Sequence, residues 1–198
     1  MISNICKIEK GTKDLDAILK ESERVALYNG FNKKQTLQLR LICEEIDGML
    51  PNIIGNFDGE LWIEYENGVC KVTASVNIPD LDINGKEELI KVAKNKKNAA
   101  VVGIASKIRN TIENFFLEKW LMGTYSSAVG AFHMSTGYCE GVDYSYLWTL
   151  NQYKDTVKDS KQEEWDELEK SIIANLADDV IVGVKGKQAK IVVVKEFK

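Results

Sequence analysis

The stretch GELWIEYENGVCKVTASVN, residues 59–77, constrains the fold more than any other part of the chain. Two runs alternate apolar and polar residues with period 2, and Asn67-Gly68 joins them. An Asn-Gly pair supplies the two left-handed backbone positions that a tight hairpin requires, so Glu60–Glu66 and Val69–Ile78 are expected to pair antiparallel. A second such arrangement closes the chain: DVIVGVKG and KQAKIVVVKEF predict a hairpin turning about Gly186-Lys187.

The segments between the hairpins read mainly as helices. Residues 2–9 form a short first strand. From Thr12 the apolar residues Leu15, Ile18, Leu19, Val25, Ala26 and Leu27 recur near helical spacing until Asn29-Gly30 stops them. Asn32 is a good N-cap for a second helix running from Lys33 to the neighbourhood of Pro51. Pro79 and Gly85 punctuate the chain after the first hairpin, and helical spacing returns over 87–122, interrupted at KVAKNKKNAA. Residues 123–142 have loop composition. YSYLWTLNQY reads as a short helix or ordered turn with an aromatic anchor, with Tyr144, Tyr146, Trp148 and Tyr153 mostly in the core. Trp165, Leu168, Ile172, Ile173 and Leu176 predict a last helix.

Strands clustered in hairpins with helices between them predict an α/β two-layer sandwich. Its sheet would be mixed and mostly antiparallel, with helices on one face. Strand and helix do not alternate, and neither a G-x-G-x-x-G nor a P-loop is present, which excludes doubly wound nucleotide folds. At 198 residues with 44% apolar content the chain is read as one domain, 1–198.

The formal net charge of −4 argues against a nucleic-acid footprint, which needs a cationic excess. No run reaches the roughly 18 apolar residues of a membrane span, and MISNICKIEK is too polar for a signal peptide, so the cytosol is the expected compartment. Cys6, Cys43, Cys70 and Cys139 are widely spaced and only one His is present, which suits small core residues better than a zinc site or a disulfide framework. Trp62 is expected in the core or on a sheet face.

The residues that invite chemistry lie in LRLICEEIDGMLPN, 39–52, where Glu44 and Glu45 interrupt an apolar helical pattern. A carboxylate held by a rigid helix suits a general base. The plainer alternative is a solvated face opposite Ile42, Ile46, Leu50 and Ile53. Gly48 costs a helix about 1 kcal/mol relative to Ala, so it points to close approach of a backbone, ligand or partner.

Taken together, QTLQLRLICEEIDGML, GELWIEYENGVCKVTASVN and EKSIIANLADDVIVGVKGKQAKIVVVKEF resemble the acidic helix, hairpin and closing helix-hairpin of the histidine kinase-like ATPase (GHKL, Bergerat) superfamily. The nearest likeness is to its anti-sigma-factor serine kinase branch. The resemblance implies Mg²⁺ and ATP as cofactors, Glu45 or Glu44 as catalytic base, and a variable region over 86–163 in the place of the nucleotide lid. It implies a protein partner such as a sigma factor or another regulator. It also implies an Asn one turn after the acidic residue, to hold the metal. Gly48 and Met49 occupy those positions instead, and Asn52 returns to the same face after two turns unless Pro51 ends the helix first.

For the adenine site the resemblance offers Asp80 or Asp82 with the single Gly85, and EEWDELEKS replaces the glycines expected to cradle phosphate. These departures imply a regulatory protein-binding domain with degenerate nucleotide motifs. A serine kinase retaining Mg-ATP is the alternative, with Asn52 as a displaced metal ligand. Lys91, Lys94, Lys96 and Lys97 are either a phosphate clamp or a solvated run. Loop 123–142, with His133, is a candidate lid for a small ligand.

Overall fold

The structure, a computed structural model, describes residues 1–10, 15–78, 104–124, 146–158 and 171–197. The described elements are β1 (Cys6–Glu9), α1 (Leu15–Tyr28), α2 (Lys33–Ile53), β2 (Asp58–Glu66), β3 (Val69–Asn77), α3 (Ile104–Thr124), β4 (Tyr146–Thr149), α4 (Leu150–Lys158), α5 (Ile172–Leu176), β5 (Asp179–Lys185) and β6 (Gln188–Glu196). The six strands form one sheet in the order β1-β2-β3-β6-β5-β4.

Both expected hairpins are present. Asn67 and Gly68 adopt φ of 51° and 84°, so Glu66 faces Val69 across a two-residue turn whose twist matches that of the strands. Gly186 adopts φ 62° at the first central position of the β5–β6 turn, where Lys185 faces Gln188. The hairpins join through β3 and β6, which pair antiparallel from Val69↔Glu196 to Asn77↔Gln188. Every pair of described strands is antiparallel, so the mixed sheet expected from the sequence has no parallel member among them.

The strands alternate as a sheet with one covered face must. Along β3, Cys70, Val72, Ala74 and Val76 are buried, and they stand in register with Ile191 and Val193 of β6 and Leu61 and Ile63 of β2. Ile18 of α1, Ile42 of α2, Ile108 of α3, Leu150 of α4 and Ile173 of α5 all enter the same core cluster, so the described helices cover that face. The general α/β sandwich therefore holds.

The other face carries a row straight across the sheet: Trp62, Thr73, Val192, Ile181 and Thr149 are successive cross-strand partners. Ile181 is buried yet lies outside the main cluster, as a residue on the second face should. Trp62 is half-buried there; its Nε1 donates to Glu64 at 2.9 Å and the Lys190 ammonium sits 5.3 Å from its ring centroid.

Two sequence expectations need correction. Tyr146–Thr149 is an edge strand paired with Ile181–Val184, not a helix or turn; the helix begins only at Leu150, where the Thr149 hydroxyl accepts from Gln152 N at 3.3 Å. The first strand is shorter than residues 2–9. Ile2 bridges Glu64, whereas Cys6 faces Leu61, so one extra residue interrupts the ladder; Ser3 Oγ there accepts from Ile63 N at 2.9 Å. The second helix runs from Lys33 to Ile53, ending in the neighbourhood of Pro51 as expected.

Cys6, Cys43 and Cys70 are buried thiols that form no disulfide; burial pushes the Cys70 thiol up to about 12 and also raises that of Cys43, with Cys70 the next cause. Cys139 lies outside the described residues. No described helix is long and apolar enough to cross a membrane.

Gly59 sits where β2 runs closest to β3. A Cβ there would collide with the Ser75 carbonyl oxygen and would lie 2.8 Å from the Val76 Cα, backbone atoms that cannot swing aside. Gly59→Ala is therefore expected to lower stability by about 1–3 kcal/mol in urea denaturation, as other overpacked sites do, and a neutral result would contradict the register described.

Candidate functional site

Helix α2 positions the candidate site. Asn32 caps it: its Oδ1 accepts from Gln35 N at 3.0 Å while Gln35 Oε1 accepts from Asn32 N at 2.9 Å. This reciprocal capping box satisfies two otherwise orphaned donors and fixes where the helical register begins. Leu39, Ile42, Ile46, Leu50 and Ile53 then face the core, so the directions of the remaining residues follow from the 3.6-residue repeat.

That repeat separates the two adjacent carboxylates. Glu44 Oε1 accepts from Arg40 Nε at 3.2 Å, one turn away, and the same guanidinium donates to Glu23 Oε1 of α1 at 2.9 Å. Glu44 thus belongs to an ion network that links α2 to α1. Glu45 lies on the opposite flank, on a stripe formed by Gln38, Leu41, Glu45, Met49 and Asn52 at spacings of three or four. This flank turns away from α1, and the other helices touching α2 are α3 and α5.

The environment of Glu45 differs accordingly. Its carboxyl is half-buried, and burial first and the neighbouring Glu44 second raise its pKa above the ordinary glutamate value. Among the described residues it has neither an ion pair nor a hydrogen bond. Of the two candidate bases, Glu45 is the one kept at the edge of the core without a compensating cation.

The positions one turn beyond these acids carry no amide. Met49 is 8% exposed and belongs to the core cluster. Gly48 is exposed, and a Cβ built on it meets open space among the described residues, so no described part of the chain approaches it closely. Its carbonyl instead accepts from Asn52 Nδ2 at 3.1 Å. Asn52 shares the flank of Glu45, since the helix carries it past Pro51, but its amide NH₂ is folded back on its own helix.

Among the described residues no three His, Cys, Asp or Glu side chains are grouped so as to hold a metal. Asp80, Asp82, Gly85 and Lys91–Lys97 lie outside the described residues, as do Tyr144, Trp165, Leu168 and all of loop 123–142 beyond Thr124, including His133. Trp148 and Tyr153 do meet, with ring centroids 5.9 Å apart, and pack against the core.

Two expected outcomes follow. Gly48→Ala should stabilise the chain by about 0.5–1 kcal/mol in chemical denaturation, because an exposed helical glycine carries an entropic cost that Ala removes. For Glu45, a folded pKa above the unfolded value means that its contribution to stability is greatest at low pH and is lost as the carboxyl ionises. Glu45→Gln, which fixes the neutral form, should therefore melt above the parent at neutral pH, and the gap should close as the pH falls below about 4. Equal Tm values at neutral pH would remove the assigned electrostatic environment.

Comparisons of the chain with protein-family models, with curated proteins and with solved structures find no match.

Proposed function

We propose that the chain is a regulatory, protein-binding domain resembling an anti-sigma factor or switch protein, built on a histidine kinase-like ATPase frame whose nucleotide motifs are degenerate. One observation carries this reading. The acidic helix keeps its carboxylates, but Met49 fills the core one turn after Glu45, and Gly48 stands bare one turn after Glu44. A thioether is a poor ligand for Mg²⁺, which takes oxygen donors in near-octahedral geometry. The order of strand, helix, acidic helix and hairpin, with a second hairpin closing the chain, supports the same frame.

The kinase reading is favoured by a different observation, the half-buried Glu45 carboxyl with its raised pKa. A general base works best when its pKa is brought toward the operating pH, and burial beside a second carboxylate acts in that direction. In that reading Glu45 is the base, Asn52 the displaced metal ligand, and Asp80 or Asp82 the adenine contact.

Isothermal titration with ATP and Mg²⁺, combined with a phosphate-transfer assay, separates the two. The regulatory reading expects no turnover. Micromolar binding with hydrolysis, or with transfer to a protein serine, overturns it, and turnover that disappears in Glu45→Ala establishes the kinase.

A further inference from the structure

We infer that the outer face of the α1–α2 hairpin docks an acidic amphipathic helix of a partner protein. The inference rests on the protein-binding reading above and gives it a surface and a partner chemistry. Leu27, Tyr28 and Leu37 are 84%, 77% and 56% exposed, although their helices have ample apolar core into which such residues normally turn. Single exposed apolar residues are ordinary, whereas a cluster of large ones marks an interaction surface.

Helical geometry brings these residues together with a set of cations. Lys20, Arg24 and Leu27 follow at i, i+4 and i+7 along α1, on the side opposite buried Ile18, Ser22 and Val25. On α2, Leu37 lies one turn beyond Lys33 and Lys34 and one turn before Arg40, opposite buried Leu39, Ile42 and Ile46. The two helices are antiparallel neighbours across the short turn Asn29–Asn32, so their outer stripes flank a shared groove, the geometry that accepts a third helix.

The turn is held firmly. Gly30 adopts φ 68°, and Phe31 lies 5.0 Å from the Tyr65 ring and 4.7 Å from that of Phe197. A rigid surface of this kind loses little conformational entropy when a partner docks.

Charge identifies the occupant. Glu21 is engaged by Arg24, and Glu23 and Glu44 by Arg40. Among the described residues Lys20, Lys33 and Lys34 have no acidic partner, although the whole chain carries a formal charge of −4. Asp16 is exposed four residues before Lys20 on the same side of α1. The five cations Lys20, Arg24, Lys33, Lys34 and Arg40 thus stand against Asp16, Glu21, Glu23 and Glu44, and the face is one charge positive, a local reversal of sign. With screening lengths near 8 Å at physiological salt, a short acidic segment lying in the groove feels these three lysines more than the distant negative surface. An extended polyanion, whether a lipid surface or a nucleic acid, meets the net negative charge as well and is disfavoured.

The test is a titration of the isotopically labelled full chain, without nucleotide, with a synthetic helical peptide that presents Leu at i, i+3 and i+7 flanked by Glu. Saturable shifts of the backbone resonances of residues 20–40 are expected, and they should weaken as salt is raised. Leu27→Ser with Leu37→Ser, and separately Lys33→Glu with Lys34→Glu, should each weaken binding at least about tenfold with Tm unchanged. A peptide with Lys in place of Glu should not bind.

Shifts confined to another surface, or equal binding by these variants, overturn the assignment of this face while leaving the protein-binding reading in place. Binding of phosphatidylserine vesicles through residues 20–40 with no response to the peptide overturns the partner class. ATP turnover in the preceding experiment overturns the regulatory reading and leaves this titration unchanged.

Discussion

The ladder between β3 and β6 holds the molecule together. Each hairpin closes locally through a two-residue turn, but the two come from opposite halves of the chain and share one sheet only because β3 zips against β6 over nine residue pairs. The register is fixed by burial: Val72 faces Val193 and Ala74 faces Ile191, all on the helix-covered side. A slip of one residue would turn those side chains to the opposite face and bring Thr73 and Val192 into the core, so the apolar pattern tolerates a single pairing. Closing so long a stretch of chain costs entropy, which the buried strip between the hairpins must offset.

That sheet in turn decides what α2 presents. The helix lies over β3, with α1 on one flank and α3 and α5 as its other helical neighbours, so its circumference is divided into a core stripe, a stripe shared with α1, a free flank and an outer face. Glu44 and Glu45 are adjacent in sequence but about 100° apart around the axis. This rotation places one carboxylate in an ion network with Arg40 and Glu23 and leaves the other half-buried without a cation among the described residues. The same division leaves Leu37 exposed, opposite the core.

The legible parts of the fold were those whose cause is local. Asn67-Gly68, Gly186 and the Asn32–Gln35 capping box fix backbone geometry within four residues, and each appears where the sequence places it or within a residue or two. Strand β4 was not legible, because its four residues carry no alternation of their own and become a strand only by pairing with β5. Helix α2 passes Pro51 by two residues because its last turn is held by core contacts of Leu50 and Ile53, with Asn52 bonding back to Gly48. Gly48 suggested a close approach that the described structure does not contain. Leu27 fits the apolar spacing read along α1 but is 84% exposed, because the helix turns Ile18, Ser22 and Val25 toward the core instead.

By itself, the sequence determined the two hairpins, the start of α2 and the presence of paired carboxylates in its middle. These follow from short-range sterics, hydrogen bonding and side-chain spacing, which need no knowledge of distant residues. Only the tertiary structure decided that Glu44 is bound to Arg40 while Glu45 is free of it, that Met49 fills the core, and that basic and apolar residues of two helices share one outer face. Those properties depend on which way each helix is rotated against the sheet, and that rotation is set by burial against strands far away in the chain.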